Sequence, residues 1–235
     1  MQYNTFMDEF VRRANYIGSK YLLNNIKFDV RNILNKEGVL KSYGISPGLK
    51  DVIEKFYYDT PELFFRNNGI NICVNKYNNK SYCDIVIRYD SLVPRIAFLS
   101  NLPDTLIKKI NKNDNISRHF NYIAQAIGEI FPKGLNVDVF EVVKKLKIIL
   151  TVIKRRERYR IIHNNGLKMV FSFESCDYIN KTRDKVKLDI LEIRMESEGQ
   201  AELFKKFVHS LELQESKLIK LKHSDLFIGQ DYLNL

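Results

Sequence analysis

Four separate stretches of this chain alternate charged and apolar residues at period two, and no other feature constrains the fold as much. Lys27, Asp29 and Arg31 alternate with Phe28 and Val30, and Asp84 shares a face with Arg88 in the run from Tyr82 to Arg88. Lys168, Val170, Ser172 and Glu174 alternate with Met169, Phe171 and Phe173, while Glu192, Arg194 and Glu196 alternate with Leu191, Ile193 and Met195. Side chains at i, i+2 and i+4 of a strand share one face, so each stretch has a charged side and an apolar side. For a single strand, the wet side of an antiparallel sheet is the commoner explanation. Four together do not suit a sandwich around one dry core; they suit a barrel whose charged faces line a polar lumen. Arg31, Arg88, Lys168 and Glu192 are therefore expected to project into one common cavity.

The remaining periodicity sets these strands among helices. Phe6, Phe10, Val11, Ala14, Ile17 and Tyr21 recur at spacings of three and four, which predicts a helix over residues 3–24. Short apolar runs bounded by Gly, Asn or Asp predict strands at 26–31, 52–58, 70–75 and 82–89. Helical spacing returns between Pro103 and Phe131, through Leu106, Ile110, Phe120, Ile123, Ala126, Ile127 and Ile130, with a break at Asn113-Asp114-Asn115. Long strands follow at 146–162, 167–176 and 186–196, with turns at 163–166 and 180–184. A closing helix is expected over 200–211, its core face marked by Leu203, Phe204, Phe207 and Leu211. The expected class is α+β: an antiparallel β-barrel tunnel with helices packed outside. It forms one domain over 1–235, with an N-terminal helix in 1–25, a helical insertion at 103–131 and a C-terminal helix at 200–211.

Between two of these strands lies Tyr58-Asp59-Thr60-Pro61, followed by Asn68-Gly69 before Ile70. Pro61 fixes one backbone angle and Asn68-Gly69 supplies a positive-φ corner, so the segment reads as strand, tight turn, strand. Asp59 or Thr60 is expected to cap backbone amides there, as a structural corner without a catalytic role.

The charge is lopsided. The 38 Lys and Arg against 28 Asp and Glu give +10 and a pI near 9.3, which makes this a basic protein suited to a polyanion such as nucleic acid, a phosphorylated metabolite or a membrane surface. Cys73, Cys83 and Cys176 are odd in number, lie in apolar runs and show no CxxC spacing, so reduced core thiols are expected. There is no cationic leader ahead of an apolar run and no stretch of membrane-spanning length, which points to a soluble, cytoplasmic protein with no membrane partner. His119, His163, His209 and His223 are far apart and lack metal-ligand spacing. P-loop, GxSxG and GxGxxG motifs are absent. Lys108, Lys109 and Lys112, and the set Lys217, Lys220 and Lys222, are placed to touch nucleic acid, although solvated helix faces are the commoner account.

The order strand-Tyr-Asp-Thr-Pro, spacer, Gly, strand, turn, strand resembles the CYTH family, the triphosphate tunnel metalloenzymes, and the resemblance runs over roughly residues 26–225. The family's opening ExExK strand is matched by Lys27-x-Asp29-x-Arg31, and its LRxR strand by Ile72-Cys73-Val74-Asn75. Its TxK strand resembles Val86-Ile87-Arg88, and its basic pair resembles Arg155-Arg156 ahead of Tyr159. The strand ending in a metal-binding acid is matched by Phe171 to Glu174, the ExE strand by Glu192 to Glu196, and the Ser-Lys signature by Ser216-Lys217, with Lys222 and Ser224 as competitors. The resemblance implies phosphate binding by Arg31, Arg88, Arg155, Arg156, Lys168 and Lys217. It also implies Mg²⁺ or Mn²⁺ held by Asp29, Glu174, Glu192 and Glu196.

The activity so implied is metal-dependent hydrolysis of inorganic triphosphate, thiamine triphosphate or a nucleotide or RNA 5′-triphosphate, with cyclisation of ATP as a related outcome. Lys27, Cys73, Asn75 and Arg194 each replace a residue that the family normally uses, and they favour a non-catalytic tunnel for a polyphosphate, a nucleotide or an RNA end. A third reading, a basic nucleic-acid-binding β protein outside the family, requires the charged strand faces to point outward. Oligomeric state is not legible.

Overall fold

A computed structural model describes residues 18–23, 43–45, 48–89, 105–130, 137–163, 166, 168–195, 201–214, 219–221, 228–229 and 232–233. The strands are β1 Gly18–Leu22, β2 Tyr43–Ile45, β3 Leu49–Asp59, β4 Ile70–Tyr77, β5 Tyr82–Tyr89 and β6 Thr105–Asn111, then β7 Lys147–His163, β8 Lys168–Asn180, β9 Lys185–Met195 and β10 Ile219–Leu221. The helices are α1 Phe64–Asn67, α2 Phe120–Ile130, α3 Val139–Val143 and α4 Ala201–Gln214. The chain forms two compact units. Unit 1 takes residues 1–15, 53–152 and 179–184, and unit 2 takes 16–52, 153–178 and 185–235.

In unit 1 the sheet runs β3, β4, β5, β6 with antiparallel pairing throughout. Ile70, Ile72 and Val74 of β4, Ile85 and Ile87 of β5 and Leu106 and Ile110 of β6 pack with Phe65 and with Ile123, Ala126 and Ile127 of α2. Each Val, Ile, Leu or Phe side chain among them, fully buried, contributes about 1.5–3 kcal/mol. The corner after β3 is built by its own side chains. Asp59 Oδ1 accepts from the backbone N–H of Thr60 at 2.7 Å and of Phe65 at 2.9 Å, and its Oδ2 accepts from Arg66 N–H at 3.0 Å. Thr60 Oγ1 accepts from Phe64 N–H at 3.1 Å. The expected tight turn is in fact a short helix, because three acceptor atoms, Asp59 Oδ1, Asp59 Oδ2 and Thr60 Oγ1, take the orphan N–H groups of Phe64, Phe65 and Arg66 at the start of α1. Gly69, at φ 75°, then turns the chain into β4.

In unit 2 the strand order is β10, β1, β9, β8, β7 and the start of β3, with β2 also on β7. The residues of one parity, Tyr21, Ile161, Met169, Phe171, Leu191 and Ile193, pack against Phe204, Phe207 and Val208 of α4. The Phe171 and Phe207 rings meet edge to face at 6.0 Å. Leu203 of α4 is exposed, which corrects its placement on the core face, and the side chain of Leu211 lies outside the described residues.

Two further expectations are corrected. Residues 18–22 form β1 and not the end of a helix, because pairing with both β9 and β10 satisfies their backbone groups; residues 1–17 lie outside the described set. Residues 105–111 form β6 and not the first part of a helical insertion. Leu106 and Ile110 are four apart, which is two strand periods as well as one helical turn, and the ladder with β5 decides between them. Among the described residues neither unit's strand path returns to its own first strand, so barrel closure is not part of the described fold; antiparallel sheet with few helices is. No helix among the described residues is long and apolar enough to cross a membrane, and Cys73, Cys83 and Cys176 are buried free thiols.

Candidate anion-binding face

The strands that give α4 its apolar platform carry charge on their other parity. Lys20 of β1, Lys154, Arg156 and Arg158 of β7, Ser172 and Glu174 of β8, and Glu192 and Arg194 of β9 share this side, and Asp51 of β3 joins them. Lys154 Nζ donates to Glu174 Oε2 at 2.7 Å, and Ser172 Oγ donates to Glu174 Oε1 at 3.1 Å. Arg156 grips Asp51 with two parallel bonds, Nε to Oδ1 at 2.8 Å and Nη2 to Oδ2 at 2.7 Å, and Arg158 Nη2 adds a third at 2.8 Å. Glu192 lies 3.7 Å from Lys20 Nζ and 3.6 Å from Arg194 Nε. Gly48 lets β3 begin close to β7: a Cβ there would stand 3.1 Å from Glu157 Oε1 and 3.1 Å from the Tyr159 ring.

These groups feel one another. Burial opposes the Arg156 charge, but its hydrogen bonds to Asp51 and the fields of Asp51, Glu174 and Glu192 outweigh that and hold the guanidinium above its ordinary range. Exposure is graded. Side-chain exposure rises from 3% at Lys154 through 12% at Arg156 and 18% at Lys20 to 27% at Arg194 and 31% at Arg158. Arg158 Nε is buried and has no hydrogen-bond partner among the described residues. Among the described residues of this cluster, the five cations Lys20, Lys154, Arg156, Arg158 and Arg194 stand against the three carboxylates of Asp51, Glu174 and Glu192. A buried excess of positive charge is costly unless an anion compensates it, and planar guanidinium forks suit phosphate oxygens.

A divalent metal fits these residues poorly. Asp51, Glu174 and Glu192 each already engage a Lys or Arg, and no group of three His, Cys, Asp or Glu that could hold an ion occurs among the described residues. Mg²⁺ and Mn²⁺ take carboxylate oxygens as ligands, and the neighbouring Lys and Arg charges repel a divalent cation. Asp29 and Glu196, the other two acids expected to hold metal, lie outside the described residues.

Of the expected phosphate ligands, Arg156 lies on this face. Lys168 begins β8 on the same parity as Glu174 and is exposed. Arg155 has the opposite parity: its Nη1 donates to Asp177 Oδ2 at 2.8 Å, and Lys185 Nζ lies 3.4 Å from the same carboxylate. Arg88 is in unit 1, exposed, between Asn71 and Thr105 on the neighbouring strands. Arg31 and Lys217 lie outside the described residues. The sequence reading missed Lys20, Asp51, Lys154 and Arg158. For two of them a signal exists, since Lys154, Arg156 and Arg158 alternate at period two.

The Asp177 cluster gives a pH prediction. Burial works to raise the Asp177 carboxyl, but Arg155 and Lys185 hold it below the usual range. Its contribution to stability is therefore complete above the ordinary carboxylate range and is lost as the pH falls through the depressed value. Thermal melts of wild type and Asp177→Asn should differ by a constant amount at neutral pH and converge in acid. A difference that grows on acidification would contradict this.

No protein-family model matches the chain, and no curated protein matches it. Three solved structures show the nature of the likeness that exists. A candidate adenylate cyclase from Vibrio parahaemolyticus is 11% identical, with 91% of this chain and 96% of that one covered and a TM-score of 0.41. A protein of Pyrococcus horikoshii OT3 is 15% identical, with 93% and 99% covered and a TM-score of 0.46. A candidate adenylyl cyclase from Hippeastrum, described as having a dominant triphosphatase activity, is 10% identical, with 92% and 96% covered and a TM-score of 0.45. Two of these three solved structures are thus described as candidate adenylate cyclases, and the third is described by its source alone.

Proposed function

We propose that unit 2 binds a linear triphosphate on its charged face, and that it does so without a divalent metal. The observation that carries this reading is the excess of cations over carboxylates among the described residues of one face, with Arg158 and Arg194 the most open of the five. The buried Lys154–Glu174 pair and the Arg156–Asp51 fork hold the inner part of the face rigid. Arg158, Arg194 and Lys20 are then placed to take phosphate oxygens. The proton balance needs no acid or base, because the reading is binding and not bond cleavage. A reducing, intracellular location belongs to the same reading and is supported by the three buried thiols.

Titration calorimetry with inorganic triphosphate, run in EDTA and again with Mn²⁺, tests it. Binding is expected in both, with affinity unchanged by the metal. Arg158→Gln and Arg194→Gln should each weaken it about tenfold to hundredfold, the range for losing a charged hydrogen bond. Absence of heat in EDTA together with Mn²⁺-dependent phosphate release would replace this reading with a metal-dependent hydrolase.

A further inference from the structure

Lys108 and Lys109 are not on a helix. They lie on β6, opposite Ile85 and Asp84 of β5, so a solvated helix face does not account for them. At the turn joining β4 to β5, Lys80 Nζ sits 3.9 Å from the centre of the Tyr77 ring and 4.9 Å from that of Tyr82. Lys109 Nζ is 5.0 Å from the Tyr82 ring, and the two tyrosine rings meet edge to face at 6.4 Å. The Tyr77 hydroxyl donates to Asp84 Oδ2 at 2.7 Å, and Lys112 Nζ donates to the Tyr77 carbonyl at 2.9 Å, which fixes this end of the sheet. The acids nearby are already engaged: Asp84 is buried against Tyr77, and Asp114 lies 3.6 Å from Arg118 and 3.2 Å from His119. Among the described residues Lys80 and Lys109 pair with no carboxylate, and their neighbours are aromatic faces.

We propose that this end of unit 1 docks single-stranded nucleic acid, with bases stacked on Tyr77 and Tyr82 and phosphates taken by Lys80 and Lys109. A cation over a partly exposed ring is a weaker contact than a stacked base. When a base takes the ring, the displaced lysine is released toward the phosphate beside it, so the exchange gains two contacts for one. Every base has a π-face, so the surface reads strandedness and not sequence, and a duplex, whose base faces are hidden, is a poor occupant. The inference is independent of triphosphate binding by unit 2.

Fluorescence anisotropy of the full chain tests it, with a short 5′-hydroxyl oligonucleotide as RNA and as DNA, the matching duplex and a polyglutamate peptide. A 5′-hydroxyl end offers no triphosphate, so failure here leaves the reading of unit 2 untouched. Either single strand should bind more tightly than the duplex or the peptide. Tyr82→Leu should weaken binding about tenfold at an unchanged salt slope, with Tyr82→Phe close to wild type. Lys80→Gln with Lys109→Gln should lower the salt slope by about 1.4, at about 0.7 per single-strand phosphate contact. Equal binding of duplex or peptide, or full binding by a folded Tyr82→Leu protein, would overturn the proposal.

Discussion

Glu174→Leu should be the most damaging single change in unit 2, lowering stability by about 3–5 kcal/mol. The cost is not the lost attraction itself. It is the ammonium of Lys154, whose side chain is 3% exposed and would be left without the carboxylate 2.7 Å away. The paired change Lys154→Met with Glu174→Leu removes both charges and keeps the volume, and such replacements are often neutral or stabilising by about 1–4 kcal/mol. Urea unfolding of wild type, each single variant and the double gives the coupling directly. Additive losses would show that the two groups do not depend on each other. The double variant also tests the proposed function, because Arg158 and Arg194 remain and should still bind triphosphate.

Asp59→Ala should cost about 3 kcal/mol, since it strands two buried N–H donors and one part-buried donor at about 1–3 kcal/mol for each buried group. The donors belong to Thr60, Phe65 and Arg66, and the carboxylate that serves them is 1% exposed. In a chain of this size that corresponds to a melting temperature lower by roughly 6–12 °C. Asp59→Asn should recover only part of the loss, because its amide turns a donor toward a donor. Thr60→Ala removes one bond at 3.1 Å and should cost about 1 kcal/mol. Circular dichroism melts rank the three variants. An Asp59→Ala protein that melts like wild type but no longer binds triphosphate would assign the residue to the ligand instead of the corner.

The parts of the fold that were legible are those where one period rules. β7, β8 and β9 are long enough for alternation to admit no helical reading, and the turn from Asn180 to Asp184 announces itself by residue type. β1 was not legible, because five residues hold too few repeats and Tyr21 stands four from Ile17. β6 failed for a sharper reason: its Leu106 and Ile110 obey both periods, and only the partner strand settles the matter. At the charged face the bases of β7 carry their own pattern, whereas Asp51 sits near the start of β3, in a strand of mixed charged and aromatic residues, 105 residues before Arg156. Nothing local marks it as their partner. Of the metal ligands implied by the resemblance, Glu174 and Glu192 stand in the expected strands beside Lys154, Lys20 and Arg194, and Asp29 and Glu196 lie outside the described residues.

The interleaving of the two units along the chain fixes an order of events on the ribosome. β4 meets β5 across a short turn, so the sheet of unit 1 has all its strands once Asn111 has emerged. Lys20 has to wait for Glu192, synthesised 172 residues later (192 minus 20). At about 5–20 residues per second that is roughly 9–34 s of waiting. Throughout that interval Lys20, Asp51 and the bases of β7 are ordinary charges on a growing polypeptide. A nascent chain stopped short of β9 carries the aromatic, lysine-rich end of unit 1 while still lacking Glu192 and Arg194 of the anion face.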